Sequence, residues 1–378
     1  MADDIGYLGQ DVPKLGFGLM RLPKRAVINE DIKQVSQMVD LFLGAGMRYF
    51  DTAYVYDLGR SEKAIKQALV DRYPRESFYL ATKLCAWMIA HDEKSAKQQF
   101  YTSLERTGAG YFDFYLLHSL KAGNVKKYDD YHIWEFVAEQ QEKGLIRHWG
   151  FSFHDQPAVL DRILTAHPDA EFVQLQINYQ DWENASIASR ANYEVARAHG
   201  KPVVIMEPVK GGKLAKLPKE AEQILRTANP DASIPSWAIR FAASLPGVIT
   251  VLSGMSNLEQ MQDNLSYMKE FEPLTADERA ALQQVRGILG AAKTIPCTAC
   301  RYCMAECPKH IAIPEVFDAM NRYLENGDLD SAKDAYAKVI AEGSGKASDC
   351  VSCGQCTRAC PQGIEAARRI TECAETLE

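Results

Sequence analysis

Cysteine is nearly missing from most of this 378-residue chain: Cys85 stands alone in the first 296 residues. Long apolar runs are missing too, and none approaches the ~20 residues of a membrane-spanning helix. Positive charge is in deficit, with 43 Lys and Arg against 50 Asp and Glu and a net charge of −7. That balance argues against a nucleic acid or an anionic membrane as partner, since either would want a basic face. No G-x-G-x-x-G opens a helix, and Gly16-Phe17-Gly18 is a lone fragment, so a doubly wound dinucleotide sheet lacks its phosphate loop. The first ten residues, MADDIGYLGQ, lack the charged-then-apolar order of a secretory signal. A cytoplasmic location is expected, where ten cysteines would not be disulfides.

The cysteines that are present lie mainly in two runs near the carboxyl end. PCTACRYCMAECP carries Cys297, Cys300, Cys303 and Cys307; CVSCGQCTRACP carries Cys350, Cys353, Cys356 and Cys360. Both read C-x2-C-x2-C-x3-C-P, the spacing of bacterial-type iron–sulfur runs. Zinc is the structural alternative, but it usually takes two separated C-x2-C pairs without a third close thiol. Two [4Fe–4S] clusters are therefore expected, one on Cys297, Cys300, Cys303 and Cys360, the other on Cys350, Cys353, Cys356 and Cys307. The crossing follows because the fourth cysteine of such a run serves the other cluster. Between the runs, Asn326-Gly327 divides two helical patterns, with Val316, Met320, Tyr323 and Leu324 on one face of the first and a cap at Asp330 or Ser331 on the second. The paired motif with helical filler resembles the alpha-helical ferredoxin family. Residues 286–378 are assigned to that module and 1–285 to a separate domain, with Cys373 read as a buried thiol.

Across the first 285 residues, strand-like stretches alternate with amphipathic ones. KLGFG, YFDTA, FYLATK, DFYLLH, RHWGFS, FVQLQINY, VVIMEP and ITVLSG read as strands ending near positions 18, 53, 83, 118, 152, 179, 208 and 254. Helical patterns follow at 31–44, 61–71, 94–107, 131–144, 157–166, 187–199, 218–228 and 235–245. Eight such units predict a (β/α)8 TIM barrel carrying a small, mainly α-helical, ferredoxin-like iron–sulfur domain. In a barrel, chemistry sits where the strands end. Those ends offer Asp51, followed by Tyr56, then Lys83 and His118. Singly, these would be a helix cap, rim packing, a solvated amine and a satisfied histidine; adjacent strand ends supplying all four point to a shared site.

FDTAYVYDLGRSE, LATKL and SLERTGAGYFDFYLLHSL resemble the aldo-keto reductase family over about residues 10–270. The resemblance implies an oxidoreductase interconverting a small carbonyl and an alcohol, with Asp51, Tyr56, Lys83 and His118 as its catalytic tetrad. A phenol with an ordinary pKa near ~10 is a poor acid at neutral pH. A neighbouring ammonium makes its proton easier to give up. Asp51 would hold that ammonium, and His118 would orient the carbonyl oxygen toward Tyr56.

The same resemblance implies NAD(P)H across the barrel mouth. Ser152, Gln176, Met206, Gly211, Gly254, Asn257, Gln260 and Asn264 are its candidate contacts. The chain departs from the family at Phe153, where an asparagine is usual, at Met206, where an aromatic stacks, and at Asn257, where Lys or Arg meets the 2′-phosphate. NADP and NAD thus stay open. Hydride moves two electrons and clusters move one, so direct exchange calls for an intermediary such as a flavin. Three readings follow: clusters as an electron relay to an external one-electron carrier, ordinary nicotinamide chemistry with structural clusters, or an electron-transfer protein with a silent barrel. Oxygen-labile clusters suggest an anaerobic bacterium.

Overall fold

The computed structural model describes residues 7–26, 29–290 and 294–378. Eight parallel strands close into a barrel: β1 Leu15–Gly18, β2 Tyr49–Asp51, β3 Tyr79–Leu84, β4 Phe112–Leu120, β5 Ile146–Phe153, β6 Phe172–Gln176, β7 Val203–Met206 and β8 Val248–Ser253. Each pairs with its sequence neighbours, and β1 closes the ring by pairing Leu15 with Val251 of β8 and Gly16 with Tyr49 of β2. The (β/α)8 expectation holds, with every expected strand end within three residues of the observed one. Helices expected between the strands appear at Ile32–Gly44, Glu93–Thr107, Ile133–Glu142, Pro157–Ala166, Ser189–Ala198, Lys219–Ala228 and Ile234–Ala243. The second, Arg60–Ile65, runs on as a wider turn over Lys66–Val70. Helices at Val125–Asp130, Leu258–Met268 and Ala276–Gly290, and a small ribbon at Lys24–Ala26 and Asn29–Glu30, were not singled out from the pattern.

Local chemistry explains several helix boundaries. Asp92 accepts from the Ser95 amide at 2.7 Å while Ser95 Oγ accepts from the amides of His91 and Asp92. This reciprocal box satisfies amides that the first helical turn leaves without partners. At the other end Gly108 takes the left-handed conformation, φ +65°, that closes a helix at little cost to glycine.

The barrel has two apolar layers. Tyr49, Ala81, Phe114, Leu116, Phe172, Val204 and Ile249 form one buried cluster. The alternate strand residues, such as Phe17, Phe50, Leu80, Tyr115, Phe151, Val173 and Ile205, join the helices in the larger one. Side chains alternate along a strand. The alternation that points Tyr49, Ala81 and Leu116 to one side therefore carries Asp51, Lys83 and His118 to the same side near the strand ends.

The second compact unit comprises residues 210–224 and 283–378. Its helices Ile313–Asn326, Leu329–Ala341 and Ala366–Leu377 enclose a core of Ile295, Ile311, Val316, Phe317, Tyr336, Ile370 and Leu377. Gly327, at φ +71°, ends the first helix, as expected at that dipeptide. The next cap differs from expectation: Asp328, not Asp330 or Ser331, accepts from the Ser331 amide. Asp328 can do so because it follows the glycine directly and its carboxylate reaches the third residue beyond it. Cys373 is fully buried in this core.

Gly150 in β5 marks a tight point in the barrel wall. A Cβ there would fall 2.1 Å from the carbonyl oxygen of Phe172, its partner in β6. Backbone cannot yield as a side chain can, so Gly150→Ala is expected to destabilise the barrel by about 3 kcal/mol. All five tryptophans lie between Trp87 and Trp237, so the urea midpoint of their fluorescence reads the barrel directly.

Candidate functional site

Lys83, only 1% exposed, is the centre of the barrel site. Its Nζ donates to Asp51 Oδ1 at 2.5 Å, to the Thr52 carbonyl at 2.7 Å and to Tyr56 Oη at 3.3 Å. An ammonium has three donors and no acceptor, so these three oxygens match it. Burial pulls Lys83 below its usual range and pushes Asp51 up, and each ion counters the other's shift. The ammonium also lies 4.8 Å from the centre of the Tyr56 ring.

Tyr56 is set by a strained turn. Asp57, Leu58 and Gly59, directly after it, have φ of +47°, +56° and +83°. Glycine accommodates this at the last position, where a Cβ would also fall 2.5 Å from the Arg106 guanidinium. Asp57 is clamped by Lys24 at 2.8 Å and by Arg60. Those cations and a hydrogen bond from Glu30 hold its carboxyl far below the usual range against burial, while burial and Asp57 raise Glu30. Arg106 in turn donates to the Tyr54 carbonyl and to buried Glu62. Strain of this kind persists only where surroundings over-determine it.

His118 comes into the site through a bulge. Pairing of β4 with β5 shifts between Leu117 and Leu120, and Ser119 sits at φ +59°. Ser152 Oγ captures the Ser119 amide at 2.7 Å, while the His118 carbonyl accepts from Tyr128 Oη at 2.6 Å and Trp87 Nε1 at 3.2 Å. The imidazole stands edge-on to the Tyr56 ring, centroids 5.7 Å apart. Burial, then the nearby Lys83 and His154, hold His118 well below the usual histidine range, so it is neutral at pH 7.

The other expected contacts separate into groups. Gln176, Asn178 and Asp181 are buried together: both amide side chains donate to Asp181 Oδ2, at 3.5 and 2.9 Å. Met206 ends β7. Asn257 caps the helix Leu258–Met268, accepting from the Gln260 amide, and Gln260 accepts from Ser256. Asn264 donates to Ser253 Oγ and accepts from Tyr267. The hydrocarbon stem of Arg21 lies over Gly254, with Cδ at 3.6 Å from where a Cβ would be. The sequence reading missed this cation because it lies some 230 residues away in the chain. Gly211 belongs to the second unit, against Thr298.

Within that unit the two cysteine runs repeat each other in backbone as well as spacing. Ala299 and Ser352 have φ of +51° and +52°, and Arg301 and Gly354 have φ of +67° and +73°. The amides of Cys307 and Cys360 bond back to Met304 and Thr357, both at 3.3 Å. Cys303 feels Cys300, Cys297 and Cys360 and, more weakly, Cys356, while Cys356 feels Cys350 and Cys307. A recess partly open to solvent is lined by Cys307, Cys350, Cys353 and Cys356. Burial and neighbouring thiolates push Cys303 far above the usual thiol range. Such crowding is relieved when a cationic centre takes the thiolates. Among the described residues no three His, Cys, Asp or Glu side chains converge on a point fit for one metal ion. Four thiols around a wider recess suit a polynuclear cluster, and the residues present fit it.

A parallel barrel with a buried ammonium between carboxylate and phenol, followed by a dicluster-type cysteine unit, defines an oxidoreductase with an appended iron–sulfur module. Residues 14–286 match the Aldo/keto reductase family, and the chain belongs to that family; residues 296–365 match a 4Fe-4S dicluster domain. The chain is 25% identical to the uncharacterized oxidoreductase YqkF of Bacillus subtilis, over 74% of this chain and 94% of that protein. It is 31% identical to an aldo-keto reductase of Mycolicibacterium vanbaalenii, over 72% of this chain and 87% of that one. Among solved structures, the holo form of a Bacillus halodurans aldo-keto reductase aligns with TM-score 0.59 and 25% identity, covering 74% and 95% of the two chains. A Klebsiella pneumoniae aldo-keto reductase in complex with NADPH shares the fold, with TM-score 0.58, 22% identity and coverage of 73% and 91%. Nothing in these relatives supports a flavin. Among the described residues, no helix is long and apolar enough to cross a membrane.

The grouping of thiols makes crossed ligation testable. Cys360→Ser should alter the electron paramagnetic resonance signal of the cluster that Cys297→Ser alters, and Cys307→Ser should alter the other. If Cys360→Ser instead pairs with Cys350→Ser, each run holds its own cluster.

Proposed function

We propose that the barrel interconverts a small carbonyl compound and its alcohol, with Tyr56 as the proton donor and acceptor, and that the cysteine unit relays single electrons to an external carrier. The observation that carries the reading is the contact of Lys83 Nζ with both Asp51 and Tyr56 Oη. A charge 3.3 Å from the phenol oxygen favours the phenolate, lowering the cost of giving the proton to a developing alkoxide. Asp51 keeps that charge in place after water has been excluded. Neutral His118 offers a ring N–H to the carbonyl oxygen without competing as an acid, and the bulge at Ser119 fixes where the ring stands.

NAD(P)H is the proposed hydride source, as the NADPH complex of the Klebsiella relative suggests. Ser152, Gln176 and Asn178 would hold its carboxamide and Met206 would pack on its ring. Gly254, Asn257, Gln260 and Asn264 would line the adenosine end, where Asn257 supplies no charge for a 2′-phosphate. Losing that charge-assisted bond costs about 1.5–3 kcal/mol and favours NAD over NADP. Clusters, once bound by the eight cysteines, supply one-electron transfer.

A second reading has the clusters purely structural. It is favoured by one feature: the thiols of Cys297, Cys303, Cys307, Cys350 and Cys360 pack directly on the small apolar core of their unit.

Tyr56→Phe is expected to lower carbonyl reduction about 10²–10⁴-fold while leaving nicotinamide binding unchanged. Retained turnover would remove Tyr56 from the reaction. The pH dependence follows from His118, whose pKa burial and the nearby Lys83 hold well below the usual histidine value. The wild-type rate should therefore show no limb near pH 6.5, and a limb there that His118→Phe abolishes would contradict this reading.

A further inference from the structure

The segment after β7, Lys210–Ala215, is packed into the second unit, against the first cysteine loop. Gly211 makes this possible: at φ +64°, a Cβ would fall 2.7 Å from the Thr298 carbonyl and 2.8 Å from Thr298 Cβ. Two residues on, Lys213 Nζ donates to the Ile295 carbonyl at 2.9 Å. The same oxygen accepts the Cys297 amide at 2.9 Å and Asn321 Nδ2 at 3.0 Å. Sharing an acceptor places the ammonium within about 6 Å of the Cys297 amide nitrogen. Lys210, 3% exposed, adds a buried cation close enough to be felt by the half-buried Lys213.

We propose that Lys213 sets the reduction potential of the first cysteine loop: its ammonium beside Cys297 makes the cluster held there the more easily reduced of the two. Adding an electron to a cluster adds negative charge, which a nearby cation in a poorly solvated place stabilises. The acidic groups nearby are partly engaged elsewhere. Glu315 faces Cys297 but is ion-paired with Arg301, while Glu325 and Asp318 act on Lys213 more weakly than Cys297 does. Around the second loop the cations differ in kind. Lys309 and Arg358 are exposed, so water and salt screen them.

The inference rests on cluster binding, not on the relay reading, and holds equally if the clusters never exchange electrons with the barrel. The test is an anaerobic redox titration of the full-length, cluster-replete protein with dithionite and mediators, followed by electron paramagnetic resonance. Iron and sulfide are counted first, which separates loss of clusters from a change in potential. Lys213→Met should lower the reduced-to-oxidised ratio of the higher-potential cluster about tenfold at fixed potential, a shift of about 59 mV. The other cluster should move less than threefold, and Lys213→Arg should restore the wild-type value. Should Lys213→Met lose iron, Lys213→Gln, which keeps a donor for the Ile295 carbonyl, carries the same comparison. The proposal is overturned if neither potential moves more than twofold, if only the lower-potential cluster shifts, or if both neutral variants lose iron while Lys213→Arg keeps it, which would make the role structural.

Discussion

An ammonium nine-tenths or more removed from water cannot keep its charge alone, and the barrel site is organised around that constraint. Lys83 is held charged by Asp51 and the Thr52 carbonyl, and the third bond of the ammonium then falls on Tyr56. Removing either ion would leave the other buried and uncompensated, a cost of several kcal/mol. The strained turn after Tyr56 and the bulge at Ser119 bring the phenol and the imidazole to the same place, and both distortions are locked by buried polar contacts. Strand alternation delivers the side chains, and the irregular backbone aims them.

The second unit depends on a different constraint. Eight thiols cannot be packed into a small core as thiolates without a cationic partner, so its folding and its metal loading should be one event. The repeated left-handed residues at Ala299 and Ser352, and at Arg301 and Gly354, show two loops solving the same wrapping problem. Their difference lies in surroundings. One loop has buried Lys210 and half-buried Lys213 beside it; the other opens onto solvent at Cys353 and Val351.

Much of this was legible in the sequence, for reasons that differ by element. Strand ends could be placed because apolar runs stop at polar, chemistry-bearing residues: YFD, ATK and LLH each end on the group that matters. The cysteine runs carry their own spacing. What could not be read were contacts between distant parts of the chain. Gly211 stands among the expected nucleotide contacts, and only the fold shows it against Thr298, with Lys213 on the Ile295 carbonyl. Arg21 beside Gly254 and Ser152 under the Ser119 amide are likewise products of closure. Asp328 was passed over as a cap because Asp330 and Ser331 offered the same chemistry two and three residues later.

The joining of a hydride-type site to single-electron centres is the account's central claim, and it can be tested in one cuvette. Cluster-replete protein is mixed anaerobically with NADH, then NADPH, then dithionite, while the cluster absorbance near ~400 nm is followed. Adding the external carrier and a reducible carbonyl completes the circuit. With NAD(P)+ and an added flavin to turn two single electrons into one hydride, dithionite-reduced clusters are expected to reoxidise when carbonyl substrate is added, in wild type but not in Tyr56→Phe. Clusters that stay reduced beside a substrate the barrel turns over with nicotinamide would contradict it and leave the iron–sulfur unit a structural brace.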